Sequence, residues 1–483
     1  MNCILVVLDT MRPDHLGAYG NDWIHTPNLD AFAAQGALFT RCYPESLPTL
    51  PFRRGLYTGA RVFPFADHRA YKGDFAGAPG WGPMREEQHT LSEVLSASAY
   101  RTALISDVYH QFKPSKNFHR GFQQWTFIRG QESDPYLSGP PPAPELIEAH
   151  MPEADSDATV RSSEAPSLRS TSRPLEQRHG YGLLRQYLTN VARRRCEEDF
   201  FAPQVFRAAA AWLEQNRDAQ RLFLTVESFD PHEPWDPPDY YRRLYDSSGD
   251  EVRNVGLSRY GGAHPLTPPE LKRLRANYAG EVTMVDRWFG SLMETVERLG
   301  LADNTVVMVV SDHGHCLGER GLISKQGHPM SREIADLVLL VRAPGLEPRR
   351  SDALLMSHDL PVTLLRLLGL EPPDTMSSLD FSPVLRGERD SHRDHTTTAW
   401  GPFVMVREGR YWYNAFLGRQ AERLYDVEAD PELRRDIAAQ HDDVCQRLAN
   451  LAVADAGEPI PEWLLHMRNR PGCTPLEPEL PPE

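Results

Sequence analysis

Two apolar runs in the chain stop at aspartate. Met1–Leu8 ends at Asp9, within Val6-Val7-Leu8-Asp9-Thr10-Met11-Arg12-Pro13, and Asn304–Val310 ends at Ser311-Asp312-His313-Gly314. An isolated aspartate at such a place is ordinarily a turn former or a helix cap. Here two carboxylates and an imidazole arrive together from two separate strand ends, a ligand set suited to one divalent cation. A cation held there acts as a Lewis acid on an ester oxygen and lowers the pKa of a hydroxyl nucleophile.

Two further stretches extend the pattern. One is Ser46-Leu47-Pro48-Thr49-Leu50-Pro51-Phe52-Arg53-Arg54-Gly55-Leu56-Tyr57-Thr58-Gly59. The other continues from Asp312 through Gly314-His315-Cys316-Leu317-Gly318-Glu319-Arg320-Gly321-Leu322 to Lys325. Together with the first stretch they resemble the sulfatases of the alkaline phosphatase superfamily. In that family a strand-end Asp opens the chain, C-x-P-x-R with L-x-T-G carries the nucleophile, and S-D-H-G or S-D-N-G carries the remaining metal ligands. The similarity covers Asn2 to about Trp125, Tyr278 to Leu370 and, more weakly, Leu424 to Pro431. It implies a metal site made of Asp9, Asp312, His313 and the nucleophile itself.

At the nucleophile position the chain departs from the family. Alignment without gaps puts Thr49 where Cys or Ser is expected, with Pro51 and Arg53 matching. Cys42 is no substitute, because Cys42-Tyr43-Pro44-Glu45-Ser46 lacks the arginine. Threonine cannot become the formylglycine aldehyde of sulfatases, but its hydroxyl can attack phosphorus or sulfur if water then cleaves the covalent ester. The one-metal phosphonate monoester hydrolases share the Asp-His pair, so the resemblance implies a single divalent ion, calcium, manganese or zinc.

The resemblance gives roles to four more residues. Arg53 would hold Thr49 and offset developing negative charge. Lys325 matches the lysine after the third motif and would bind a substrate oxygen. His232, in Ser228-Phe229-Asp230-Pro231-His232-Glu233-Pro234-Trp235, matches a mid-chain histidine that could protonate the leaving group. Where the family has G-K-W-H this chain has Ser106-Asp107-Val108-Tyr109-His110, which loses a lysine and leaves His110 as an acid or base. Trp125, Arg129 and Glu132 could wall the substrate site, although charged groups in such stretches mostly face solvent.

These residues need a scaffold that brings strand ends together. The fully apolar runs Met1–Leu8 and Asn304–Val310, with Arg101–Ile105 and Leu222–Ser228, read as buried parallel strands. Helices are expected at Thr26–Gln35, with Pro27 first and Gly36 beyond, at His89–Ala99 and at Leu271–Leu299. Alternating helices and buried strands point to an α/β fold, a doubly wound, mostly parallel sheet flanked by helices, with ligands at the strands' C-terminal ends. The expected catalytic domain spans 1–380, with a flexible insertion at 139–175 rich in Pro, Ser, Ala, Asp and Glu. Thr396–Val406 and Arg410–Phe416 read as antiparallel strands and Arg434–Val453 as a helix. They form a small C-terminal α+β subdomain, 381–470, before a Pro-rich tail, 471–483.

Composition narrows the function classes. Over 483 residues, 67 acidic against 52 basic side chains give a net charge of −15, a field that repels nucleic acid and anionic membrane. The longest apolar runs are too short for a bilayer span. The six cysteines form no C-x-x-C pair, which fits reduced thiols in the cytoplasm, and no leader pattern precedes Asp9. The expected function is metal-dependent hydrolysis of phosphate or phosphonate esters through Thr49, on a small anionic ester substrate. The alternatives are a sulfate ester hydrolase without formylglycine and a non-catalytic sulfatase-like binding protein.

Overall fold

A computed structural model describes residues 1–69, 79–113, 116–151, 175–178, 180–249, 251–257, 261–262 and 266–467. Its central sheet has eight strands: β1 (Asn2–Leu8), β2 (Ala37–Phe39), β3 (Arg101–Ser106), β4 (Gln124–Phe127), β5 (Leu222–Ser228), β6 (Thr305–Ser311), β7 (Leu339–Arg342) and β8 (Arg349–Ser351). Their spatial order is β8-β2-β7-β6-β1-β5-β3-β4. The run from β6 to β4 is parallel throughout, and β7 lies antiparallel to both β6 and β2. The expected doubly wound, mostly parallel sheet is therefore present.

Every residue of β1, β5 and β6 is buried, because helices cover both faces. Ile4, Val6 and Leu8 of β1 enter a core with the helices Pro27–Ala34, Phe201–Asn216 and Pro268–Arg298. Cys3, Leu5 and Val7 point the other way, into a core with the helices Thr49–Thr58, Leu91–Ala97 and Asp359–Leu367. The period-2 alternation of the strand is thus spent on two apolar layers.

Four antiparallel strands form the smaller sheet: β9 (His395–Trp400), β10 (Phe403–Glu408), β11 (Tyr411–Phe416) and β12 (Gln420–Asp426). One face, with Val404, Val406, Tyr413 and Leu424, packs against Val444, Leu448 and Ala452 of the helix Asp442–Asp455. The other face, with Met405, Trp412 and Phe416, packs against Tyr43, Leu47 and Met330 of the main body.

Three expectations are corrected. Thr396–Val406 is a hairpin rather than one strand: it reverses at Gly401, whose φ is +56°, and at Pro402, which has no N–H for a ladder. The helix expected from Arg434 begins only at Asp442. At the start of the insertion, Pro144–Ala149 is a helix that buries Ile147 against Leu184, Tyr187 and Leu188. One apolar side chain at the right place is enough to dock that turn, despite the polar composition around it. Residues 152–174 of the insertion and the tail 471–483 lie outside the described residues.

Among the described residues no helix is long and apolar enough to cross a membrane. Cys3, Cys42, Cys316 and Cys445 are buried and Cys196 is exposed, all as free thiols.

Candidate active site

Strand register assembles the site. Leu8 lies opposite Ser311 and Ser228, and Ser106 opposite Glu227, so four neighbouring strands end level. Their ends deliver Asp107, Glu227, Asp9 and Asp312 to one edge of the sheet. All four side chains are fully buried.

Asp9, Asp312 and His313 converge, with ligating atoms within 4.8 Å of one another. His313 Nδ1 lies 3.1 Å from the Gly314 carbonyl, which can only accept, so the ring proton sits on Nδ1. Nε2 then turns its lone pair toward Asp9 Oδ1 at 3.9 Å and Asp312 Oδ2 at 3.7 Å. Among the described residues this buried nitrogen has no hydrogen-bond partner. Burial pushes the imidazole pKa down to about 3, so it is neutral and able to ligate. Burial, and then the charge of Asp312, push the Asp9 carboxyl up. An orphaned lone pair facing two crowded carboxylates is the arrangement a divalent cation relieves, and these residues fit one.

The turn after Asp9 orients both carboxylates. The Thr10 N–H donates to Asp312 Oδ1 at 3.0 Å and its hydroxyl donates to Asp9 Oδ1 at 2.9 Å. Thr10 has φ +61°, an outlier for a β-branched residue. Gly314, on the facing turn, has to be glycine: a Cβ there would lie 2.1 Å from the Glu333 carbonyl oxygen and 2.7 Å from Arg12 Cγ.

Thr49 is the first residue of the helix Thr49–Thr58 and is buried. Arg53 and Tyr57 follow at one-turn intervals on the same face. Arg53 Nη1 donates to the Thr49 carbonyl at 3.0 Å and to Asp312 Oδ2 at 2.8 Å, Nη2 to Asp9 Oδ2 at 3.2 Å, and Nε to Glu227 Oε2 at 2.8 Å. Tyr57 donates to the other oxygen of Glu227. Burial works against the Arg53 charge, but Glu227, Asp312 and Asp9 together push its pKa up. These bonds tie the Thr49 helix to the strand ends that carry Asp9, Glu227 and Asp312.

A second group lies in the fields of the first. His232 Nδ1 donates to the Glu233 carbonyl at 2.6 Å, and its Nε2 accepts from Lys325 Nζ. Lys325 is also 3.7 Å from Glu233 Oε1, and its charge acts on Asp9 and His313. Burial lowers the His232 pKa, so the ring is neutral with its lone pair turned to the ammonium. His232 and Lys325 are thus brought together beside Glu233.

His110 Nε2 lies 2.9 Å from Glu132 Oε2, beside the rings of Tyr109 and Trp81. Although burial pushes the Glu132 carboxyl up, its hydrogen bond with His110 and the nearby charge of Lys325 lower it. The wall expected from three residues is therefore reduced to Glu132. Arg129 is held at 2.7 Å by Asp134, and Trp125 is exposed on edge strand β4, stacked on Phe112. Asp107, in the place of the missing lysine, accepts from the Phe229 N–H at 2.7 Å and from Gln131 at 3.1 Å, which ties the strand ends together.

Sequence reasoning missed Thr10, Glu227, Glu233 and Tyr278. For Glu227 a signal was present: a carboxylate inside the otherwise buried strand Leu222-Phe223-Leu224-Thr225-Val226-Glu227-Ser228 must find a cation.

Known proteins bear on this geometry. Residues 1–370 match the family model described as Sulfatase. An arylsulfatase of Clostridium perfringens is 23% identical over 469 residues, 89% of each chain. A multifunctional alkaline phosphatase superfamily protein of Trinickia caryophylli is 22% identical over 418 residues, 80% of this chain and 77% of that one. The crystal structure of the phosphonate monoester hydrolase of Agrobacterium radiobacter superposes with a TM-score of 0.68 at 19% identity, covering 94% of this chain and 95% of the other. With the family match spanning the strand-end aspartates, the Thr49 helix and Asp312–His313, the chain belongs to the sulfatase family of ester hydrolases in the alkaline phosphatase superfamily.

Proposed function

We propose that this chain hydrolyses phosphonate or phosphate esters through a covalent intermediate on Thr49, with one divalent cation held by Asp9, Asp312, His313 and Thr49. The observation that carries this reading is the Arg53 bridge. A single guanidinium nitrogen binds both the Thr49 backbone and Asp312, and this tie supports a Thr49 hydroxyl that works together with the metal-ligand group. When bound, the cation supplies Lewis acidity at the transferred group and lowers the pKa of the attacking hydroxyl.

The chain's own residues supply the rest. Thr49 stands at the N-terminus of a ten-residue helix, where the backbone dipole favours negative charge on its oxygen. Its Oγ forms a bond to phosphorus as the bond to the leaving oxygen breaks. The Thr49 hydroxyl gives its proton to solvent, and the leaving oxygen gains one from Lys325, which His232 and Glu233 hold in place. Water then bonds to phosphorus, the Oγ–P bond breaks, and Thr49 and Lys325 each regain a proton from solvent. His110, braced by Glu132, is assigned to the proton that this water gives up.

Charge selects among substrates. Asp9, Asp312 and Glu227 share Arg53, and a dication cancels the remaining charge. Lys325 is offset by Glu233 beside it. Little positive excess remains, so a transferred group with one negative charge, as in a phosphonate monoester or a phosphodiester, suits the site better than a dianionic phosphate monoester. Sulfate esters are the second reading. They too carry one charge, and arylsulfatase similarity covers most of the chain.

The test is turnover of nitrophenyl phenylphosphonate, bis-nitrophenyl phosphate, nitrophenyl phosphate and nitrophenyl sulfate with calcium, manganese or zinc, followed by acid quench and mass spectrometry. A phosphorus or sulfate adduct on the Thr49 peptide supports the mechanism. Turnover without any adduct, undiminished in Thr49→Val, overturns it.

A further inference from the structure

Thr10 is held in a conformation that threonine avoids, and the structure shows what holds it. At φ +61° its backbone is in the left-handed region, where a β-branched side chain is strained. In this conformation its N–H and its hydroxyl reach Asp312 and Asp9 together. From the long helix Pro268–Arg298, Tyr278 closes the other side of the turn. Its hydroxyl donates to the Thr10 carbonyl at 2.8 Å and accepts from the Arg12 N–H at 3.0 Å. Tyr278 is fully buried, with its ring edge-on to His15 and Trp235.

We infer that Tyr278 is a positioning residue for the metal site: its hydroxyl clamps Thr10 in the strained turn that aims Asp9 and Asp312 at a common point. The inference rests on the metal-dependent reading above. Arg53 offsets only part of the repulsion between the two converging carboxylates, and a bound cation would relieve the rest while the turn keeps its strained conformation. Removing the clamp lets the turn relax and the carboxylates part. The loss then falls on metal affinity rather than on the fold. Outer residues that orient metal ligands govern affinity in this way, by about 10–100-fold on mutation.

The experiment compares wild type, Tyr278→Phe, Thr10→Gly and Tyr100→Phe, each stripped with chelator. Each is titrated with Mn2+ by calorimetry and melted with and without the ion. Tyr100→Phe is the control, since its buried hydroxyl also donates to a carbonyl, that of Met1 at 3.0 Å, far from the ligands in the chain. The expected result is a Mn2+ Kd weaker by about 10–100-fold in Tyr278→Phe and unchanged in Tyr100→Phe. Thr10→Gly is expected to lose affinity by a similar factor while its metal-free Tm does not fall, because glycine adopts positive φ without strain. A purely structural role would not separate affinity from stability in that way.

A wild-type Kd in Tyr278→Phe overturns the clamp, as does an equal loss in Tyr100→Phe. If Tyr278→Phe does not fold, the strain-relieved double variant Thr10→Gly/Tyr278→Phe is titrated in its place, and a Kd equal to that of Thr10→Gly alone overturns the clamp. A wild type that binds no Mn2+ overturns the metal reading itself, a result distinct from a wild type that binds while the variants match it.

Discussion

Arg53 Nη1 bonds back one helical turn to the Thr49 carbonyl at 3.0 Å, and the same nitrogen reaches Asp312 Oδ2 at 2.8 Å. The helix bearing Thr49 is thereby fastened to the strand end bearing the metal ligands. Replacing Arg53 with Met leaves Asp9, Asp312 and Glu227 buried without their shared cation. Breaking a buried ion pair on one side costs about 3–5 kcal/mol. The expected outcome in urea denaturation is a loss of that order in the chelated protein, partly restored by saturating divalent cation. Equal stability of Arg53→Met and wild type in chelator would show that the carboxylates are protonated instead.

Asp312→Ala and His313→Ala are expected to abolish tight metal uptake while far-UV circular dichroism stays that of wild type. Among the described residues His313 Nε2 has no partner to lose, and burial keeps its ring neutral in the metal-free protein. Elemental analysis after gel filtration is the check. Stoichiometric metal in the double variant would move the site elsewhere.

Thr49→Ser keeps the nucleophilic oxygen and is expected to retain much of kcat. Thr49→Val keeps the shape without the oxygen and is expected to lose at least about 10³-fold in kcat. Since the Arg53 contact is to the Thr49 carbonyl, neither change disturbs the brace. Intact-mass and melting measurements therefore should not differ among the three proteins. Near-wild-type turnover in Thr49→Val would point to direct attack by water.

Stability should fall with acid well above the carboxylate range. Burial pushes His313 and His358 down to about 3 and His315 and His328 down to about 4. In the unfolded chain these rings take up protons near pH 6.5. Between about pH 6.5 and pH 4 the unfolded state therefore binds more protons than the folded one, and the free energy of unfolding falls as pH falls. Each such histidine contributes a slope of up to about 1.4 kcal/mol per pH unit in that window. Urea melts of chelated protein at pH 7.5, 6 and 5 check the sign. Flat stability across that range would mean that the histidines titrate while folded.

Much of the site was legible because its chemistry is local in the chain. Unbroken apolar strands that stop at Asp9 and at Asp312–His313 mark buried parallel strands and the polar edge where a ligand sits. The resemblance to C-x-P-x-R singles out Thr49 and Arg53, while the helix that sets them on one face with Tyr57 appeared only in the structure. The strand signal needs only a period and local chemistry, and from it the sequence by itself determined the fold class and the grouping of Asp9, Asp312 and His313.

What surrounds that layer was decided by tertiary structure. Glu227 meets Arg53 across 174 residues of chain, and Tyr278 meets Thr10 across 268. Register brings Leu8, Ser228 and Ser311 level, and no local pattern encodes which strands are neighbours. The partners of Arg53 and His232 lay beyond the sequence for the same reason. A guanidinium or an imidazole takes its function from the partners that occupy its nitrogens. Here those partners, Glu227 and Asp312 for one and Lys325 for the other, are supplied by distant segments that only the packed sheet and helices bring within hydrogen-bond reach.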